Sequence, residues 1–206
     1  APWYFDATYG HGALALSPAA TLPLHRLAAY RLNPALPFLA NRWNTNGDVA
    51  FVLGVGGAMD LVVGARRVVV VSAMGDTTDE LLELAAEVTR LPDARELDFL
   101  LSTGEQVSAA LMVMALHERG LSAVSLTGPQ AGIQTDGLHG RARITGVTPD
   151  RIKRELDEGR VAVVAGFQGS SGGEVATLGR GGSDTSAVAL AVAMGAIRCE
   201  IFTDVD

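Results

Sequence analysis

A glycine-rich loop, Thr177-Leu-Gly-Arg-Gly-Gly-Ser-Asp184, gathers one guanidinium (Arg180), one hydroxyl (Ser183) and one carboxylate (Asp184). It leads into small-residue text, Thr185 to Ala196, that reads as a helix. Bare backbone N–H groups at a helix start attract anions. A lone arginine adds a planar fork that matches a carboxylate or a phosphate. The chemistry suited to this loop is therefore anion recognition. On the loop alone, a plain strand-to-helix turn remains the alternative.

Other polar, glycine-bearing segments follow predicted strands. Ser72-Ala-Met-Gly-Asp-Thr-Thr-Asp79 comes after a valine run, Gly166-Phe-Gln-Gly-Ser-Ser-Gly-Gly173 after a second apolar strand, and Thr203-Asp204 closes the last strand. In parallel sheets ligands sit outside the carboxyl ends of the strands. Segments of this kind, each following a strand, would share one rim.

The elements that must position them are legible from about residue 49. Val49–Val55 is a short apolar run, and Val68–Ser72 reads as a buried strand. Thr77 and Thr78, followed by Asp79 and Glu80, predict a helix start, with the helix reaching about Arg90. Residues 95–119 predict one long helix or a pair broken at Gly104. Ala123–Leu126, Arg141–Val147, Val161–Phe167 and Cys199–Val205 read as strands. Thr148-Pro149-Asp150 predicts a capped helix that Gly159 ends. Strands alternating with helices, in near-continuous apolar strand text, predict an α/β fold. Its sheet would be mostly parallel, with helices on both faces.

Residues 1–48 differ. They hold five of the eight prolines and seven of the eleven aromatic residues, with Leu22 to Leu32 as a possible short helix. The expected organisation is an atypical segment over 1–48 and a domain over 49–206.

Bulk composition excludes several classes. The chain has 206 residues, 48% of them hydrophobic, enough for a full core in one domain. Its net charge of −7 argues against a nucleic-acid groove, which needs a basic face. No apolar run is expected to span a bilayer and no secretory leader is read, so no membrane partner is expected. The single cysteine, Cys199, predicted in a buried strand, cannot close an internal disulfide, which suits a cytoplasmic setting. No pattern of His, Cys and carboxylates has metal-cage spacing. His117 and His139 read as capping or solvated groups.

Several motifs together resemble one family. They are Val-Val-Val-Ser-Ala-Met-Gly-Asp-Thr-Thr-Asp (69–79), Leu-Leu-Ser-Thr-Gly-Glu (100–105), Thr-Gly-Pro-Gln-Ala-Gly (127–132), His-Gly-Arg-Ala-Arg-Ile (139–144), Val-Ala-Gly-Phe-Gln-Gly (164–169), the 177–184 loop and Thr-Asp-Val-Asp (203–206). In this order they resemble the catalytic domain of bacterial aspartate kinases, within the amino-acid kinase family, over about residues 67–206. The resemblance implies a three-layer sandwich, incomplete here at both ends. It implies phosphoryl transfer from ATP, with Mg²⁺, to the β-carboxylate of L-aspartate. The product would be 4-phospho-L-aspartate, on the way to lysine, threonine and methionine. Carried over, Arg180 would pair with the α-carboxylate of aspartate and Glu105 would hold its ammonium. Ser72, Ala73 and Thr78 would line the substrate and phosphate pocket, with Gly181, Gly182 and Ser183 beside them. Gly56, Gly57, Ser183, Thr203 and Asp204 would meet the nucleotide. Asp184 would be the catalytic organiser. A homo-oligomer, or association with a fuller homologue, is expected.

The text also departs from that family. Its phosphate-loop lysine falls at Gly54, Ala58-Met59 replace Thr-Ser, and only about ten residues precede the valine strand, so a helix is expected to be missing. Residues 56–69 also resemble a segment of CoA-transferase small subunits, without the glutamate motif those enzymes use. The alternatives are thus a non-catalytic remnant or a CoA-transferase-like fusion.

Overall fold

The computed structural model describes residues 22–23, 31–32, 58–63, 66–179, 181–196 and 198–202. Their strands are β1 (Leu22–Pro23), β2 (Arg31–Leu32), β3 (Ala58–Val63), β4 (Arg66–Val71), β5 (Ala123–Leu126), β6 (Ile133–Thr135), β7 (Ile144–Val147), β8 (Val161–Ala165), β9 (Gln168–Ser171), β10 (Glu174–Thr177) and β11 (Arg198–Phe202). The helices are α1 (Thr77–Val88), α2 (Ala94–Glu118), α3 (Asp150–Asp157) and α4 (Gly182–Met194).

Five strands form the central sheet in the order β11-β3-β4-β8-β5. The pairs β4/β8 and β5/β8 are parallel, whereas β3/β4 and β11/β3 are antiparallel. The α/β expectation holds, and the antiparallel part has a simple cause. Only two residues separate Val63 from Arg66. A parallel connection needs a crossover of a dozen or more residues, so β3 and β4 can only form a hairpin. No crossover helix can fit between them.

Successive residues of β4 and β8 face opposite sides, as strand geometry requires. Val69, Val71, Val163 and Ala165 pack with Ala109, Met112, Val113 and Leu116 of α2. Val68, Val70, Ala162 and Val164 pack with Ile152 and Leu156 of α3 and with Ala187 and Leu190 of α4. The valines of β4 are buried on both faces, which is why they read as one unbroken run. Helix, sheet and helix make three layers. A second sheet of order β10-β9-β6-β7 flanks this body; of its strands only β7 was expected from the sequence.

Several local expectations change. Residues 94–118 are one continuous helix. Gly104 does not break it; a Cβ there would lie 3.0 Å from Cβ of Ala73, so the glycine permits close approach to the strand-end loop. α2 is also long and apolar enough to cross a membrane, with a mean hydropathy of 1.4 over its best 18-residue window, contrary to expectation. Half of that window is buried against the fold, as in a core helix. Leu22–Leu32 is not helical at its ends, which pair antiparallel as β1 and β2. The strand expected from Arg141 begins at Ile144. α1 starts at Thr77 and α3 at Asp150, neither with a side-chain cap bond. Thr148 Oγ1 accepts from Gln134 Nε2 instead of capping. Cys199 is only partly buried.

Candidate active site

Three chain segments converge where β4 and β8 end. After β4, the chain turns through Ser72 and Ala73 into α1. After β8, Gly166 and Phe167 lead to the β9–β10 hairpin. The loop after β10 then enters α4. Gly166 is the contact point: a Cβ there would lie 2.8–2.9 Å from Ser183 Oγ, Cα and Cβ. Only glycine lets the start of α4 sit this close to the sheet. Ser72 Oγ donates to Ser183 Oγ at 2.7 Å across the gap.

The cleft has a volume of about 560 Å³, within the usual range for small-molecule sites. Ser72, Thr78, Glu105, Gly181, Gly182 and Ser183 line it, with Asp184 beside them. Ala73 stands just behind, and its backbone N–H donates to Glu105 Oε1 at 3.1 Å. Seven expected residues thus share one cleft, and Ala73 adjoins it. Gly56, Gly57, Arg180, Thr203 and Asp204 lie outside the described residues. Phe202, the last described residue of β11, pairs with Ala58, which pairs with Val71 next to Ser72.

Glu105 is the most unusual group in the cleft. It is only 4% exposed. Oε2 is buried without a hydrogen-bond partner. Burial pushes its carboxyl from the ordinary 4.5 up to about 7, against the pull of two backbone hydrogen bonds. A buried acceptor with a spare oxygen is matched to a cationic donor.

Phe167, also on the cleft wall, has φ +64°, a sparsely populated conformation for a bulky residue. Its N–H donates to Ser186 Oγ at 3.1 Å, and its carbonyl accepts from the Leu178 N–H at 2.8 Å. Gly181, at the N-cap of α4, has φ +71° and itself lines the cleft, so α4 begins at the cleft wall. Carboxylate on one wall and helix start on the other are complementary to a zwitterion with an added anion.

Two features went unread in the sequence. Asp98, an ordinary-looking acid in helical text, is 1% exposed and accepts from His139 Nδ1 and from the backbone N–H groups of Gly140 and Thr177. His139 is therefore half of a buried-acid pair, not a solvated group. His117 Nε2 lies 2.9 Å from the Ala123 carbonyl, tying the end of α2 to β5.

The family model for the amino acid kinase family matches residues 58–206. The chain belongs to the amino acid kinase family. Among its relatives, the aspartokinase of Geobacillus stearothermophilus is 63% identical over 143 residues, 69% of this chain and 35% of that protein. The aspartokinase of Corynebacterium glutamicum is 60% identical over 145 residues, 69% of this chain and 34% of the other. The chain thus spans about a third of these relatives. Among solved structures, aspartate kinase from Synechocystis aligns with a TM-score of 0.51 and 55% identity, covering 63% of this chain and 21% of that one. E. coli aspartokinase III in complex with lysine and aspartate aligns with a TM-score of 0.54 and 26% identity, over 64% of this chain and 41% of that one. The same enzyme with aspartate and ADP gives 0.50 and 34%, over 60% and 28%. The expected kinship is borne out. It also sets the CoA-transferase resemblance aside, because the family match begins at Ala58, inside that segment.

Proposed function

We propose that this chain is the substrate-recognising part of an aspartate kinase, transferring the γ-phosphoryl group of ATP to the β-carboxylate of L-aspartate. The observation that carries the proposal is Glu105, buried on the cleft wall with one oxygen unpartnered. That oxygen would accept from the α-ammonium. Arg180, in the loop whose flanking glycine Gly181 lines the cleft, would pair with the α-carboxylate. The β-carboxylate then points toward the start of α4, where Ser183 and the α4 N–H groups offer donors. A β-carboxylate oxygen attacks the γ-phosphorus, the bond to the β,γ-bridging oxygen breaks, and ADP leaves with 4-phospho-L-aspartate formed. In such transfers the protein mainly positions and neutralises charge.

Ser72, Ala73 and Thr78 would shape the phosphate side of the cleft, and Gly182 allows close backbone approach. Gly56, Gly57, Thr203 and Asp204 would meet the nucleotide. Magnesium bound to nucleotide phosphates needs only one or two protein carboxylates, and Asp184 is of that kind. Among the described residues no three His, Cys, Asp or Glu side chains gather as a cage. The ion would offset phosphate charge. The domain would run over 49–206, in a cytoplasmic homo-oligomer or beside a fuller homologue, supplying lysine, threonine and methionine synthesis.

The test is aspartate- and Mg-ATP-dependent acyl phosphate, trapped with hydroxylamine, using protein shown to be folded by circular dichroism. Hydroxamate that requires aspartate and disappears in Arg180→Ala is expected. No hydroxamate from the folded parent chain, or equal amounts from Arg180→Ala, would overturn the reading.

A further inference from the structure

Asp98 has no part in the proposed chemistry, yet it is among the most completely engaged side chains described. Its carboxylate accepts from His139 Nδ1 at 2.8 Å, from the Gly140 N–H at 3.0 Å and from the Thr177 N–H at 3.0 Å. It also accepts from Thr177 Oγ1. A carboxylate can only accept, so His139 Nδ1 carries the proton. The donors come from two separate segments of the chain. Gly140 belongs to the loop between β6 and β7 and itself lines the cleft. Thr177 ends β10, three residues before Arg180. The loops touch each other: a Cβ on Gly179 would lie 3.6 Å from the Gly140 carbonyl oxygen.

Asp98 also shares a helix with Glu105. Seven residues are close to two turns, so both carboxylates lie on one face of α2. One reaches the cleft wall, and the other grips the base of the arginine loop. The distance from Glu105 to that loop is therefore carried through about two turns of rigid helix and one buried carboxylate.

We infer that Asp98 is a positioning residue that sets the span between the ammonium-binding Glu105 and the carboxylate-binding Arg180 loop, and so fixes selectivity for the amino acid. This rests on the aspartate reading of the cleft. A salt link on the surface could not do this, because exposed pairs hold geometry weakly. Asp98 is 1% exposed and can hold it. Shifting the two anchors apart by about 1 Å should cost roughly 10- to 100-fold in productive binding of so small a ligand. The nucleotide, held by other groups, should be unaffected.

The test uses two variants of the full chain. Asp98→Asn keeps the shape but turns a donor toward backbone N–H groups. Thr177→Val removes one hydroxyl and leaves Asp98 in place, in case the first does not fold. Both should raise the aspartate dissociation constant at least about tenfold, by the same positioning argument, with ATP affinity changed less than about twofold. Thr177→Ser should restore parental affinity. Equal losses for aspartate and ATP, or no loss for either, would overturn the inference. Amide hydrogen exchange supplies a readout that needs no ligand. Faster exchange confined to residues 138–142 and 176–182 in the variants supports the clamp, and unchanged exchange there refutes it. If the parent chain binds no aspartate, the functional reading fails, and the exchange result alone decides whether Asp98 is a clamp.

Discussion

Glu105 should destabilise the fold at neutral pH and above, and the size of that effect can be worked out. Its carboxyl is raised from 4.5 to about 7, burial being the leading cause. The folded protein therefore holds this proton more tightly than the unfolded chain. Stability from this group is fully present below about pH 4.5 and is lost as pH rises through about 7. At roughly 1.4 kcal/mol per unit, the loss amounts to about 3 kcal/mol. Glu105→Gln removes the titration while keeping an acceptor for the Ala73 N–H. Its amide nitrogen would sit where Oε2 is now unpartnered, a fixed cost of about 1–3 kcal/mol at every pH. The informative quantity is the change with pH, not the offset. Urea unfolding of both proteins at intervals from pH 4.5 to 8 should show the variant gaining on the parent by about 3 kcal/mol across that range. Parallel curves would refute the claim that Glu105 is buried and uncompensated. The same substitution should weaken aspartate binding, so a gain in stability would come with a loss of function.

Other outcomes follow from the same structure. Glu155 is the counter-case: burial raises its carboxyl, but Arg160 and Arg151 more than offset this and hold it below the usual range. Glu155→Gln should lower the melting temperature at pH 7, by less than breaking a fully buried pair would, because Arg151 and Arg160 are 46% and 30% exposed. The deficit should shrink as pH falls below about 4.5 toward the depressed folded value, which calorimetry across pH will show. Gly166→Ala would drive a methyl to within 2.9 Å of Ser183 Cα and Cβ. It should cost about 1–3 kcal/mol by thermal unfolding and speed amide exchange at the start of α4. Gly104→Ala places its methyl 3.0 Å from Ala73 Cβ and should loosen the Ala73–Glu105 hydrogen bond, seen as faster exchange at the Ala73 amide.

The sequence was readable where burial left a compositional mark. β4 and β8 are covered on both faces, so their valines and alanines run unbroken and announce themselves. The ends of α3 and α4 were legible through Gly159 and the glycine loop. β9 and β10 were not, because QGSS and EVAT carry too little apolar text to suggest strands. Their order comes from pairing with each other and with β6, which no local pattern encodes. β3 was hidden because Ala58–Asp60 was matched to a phosphate loop. The two-residue link to β4 was the stronger clue. Gly104 looked like a helix breaker, whereas its reason is tertiary, the proximity of Ala73.

Within the site, small residues and glycines could be placed from their loops, but the carboxylates could not be ranked. Nothing local distinguishes buried Asp98 from its exposed neighbour Glu96, because burial of one acid in a helix depends on what arrives from distant loops. Glu105 came from family resemblance rather than from any helical pattern. Its unpartnered oxygen, the property that matters for function, exists only in three dimensions.

The most direct test of the central claim is calorimetric titration of the chain with L-aspartate and with succinate, which lacks only the ammonium group. The account predicts that aspartate binds at least about tenfold more tightly, as a charge-assisted hydrogen bond to a buried carboxylate should require. It also predicts that Glu105→Gln abolishes the difference. Succinate binding as tightly as aspartate, or a preference for aspartate that survives in Glu105→Gln, would contradict it.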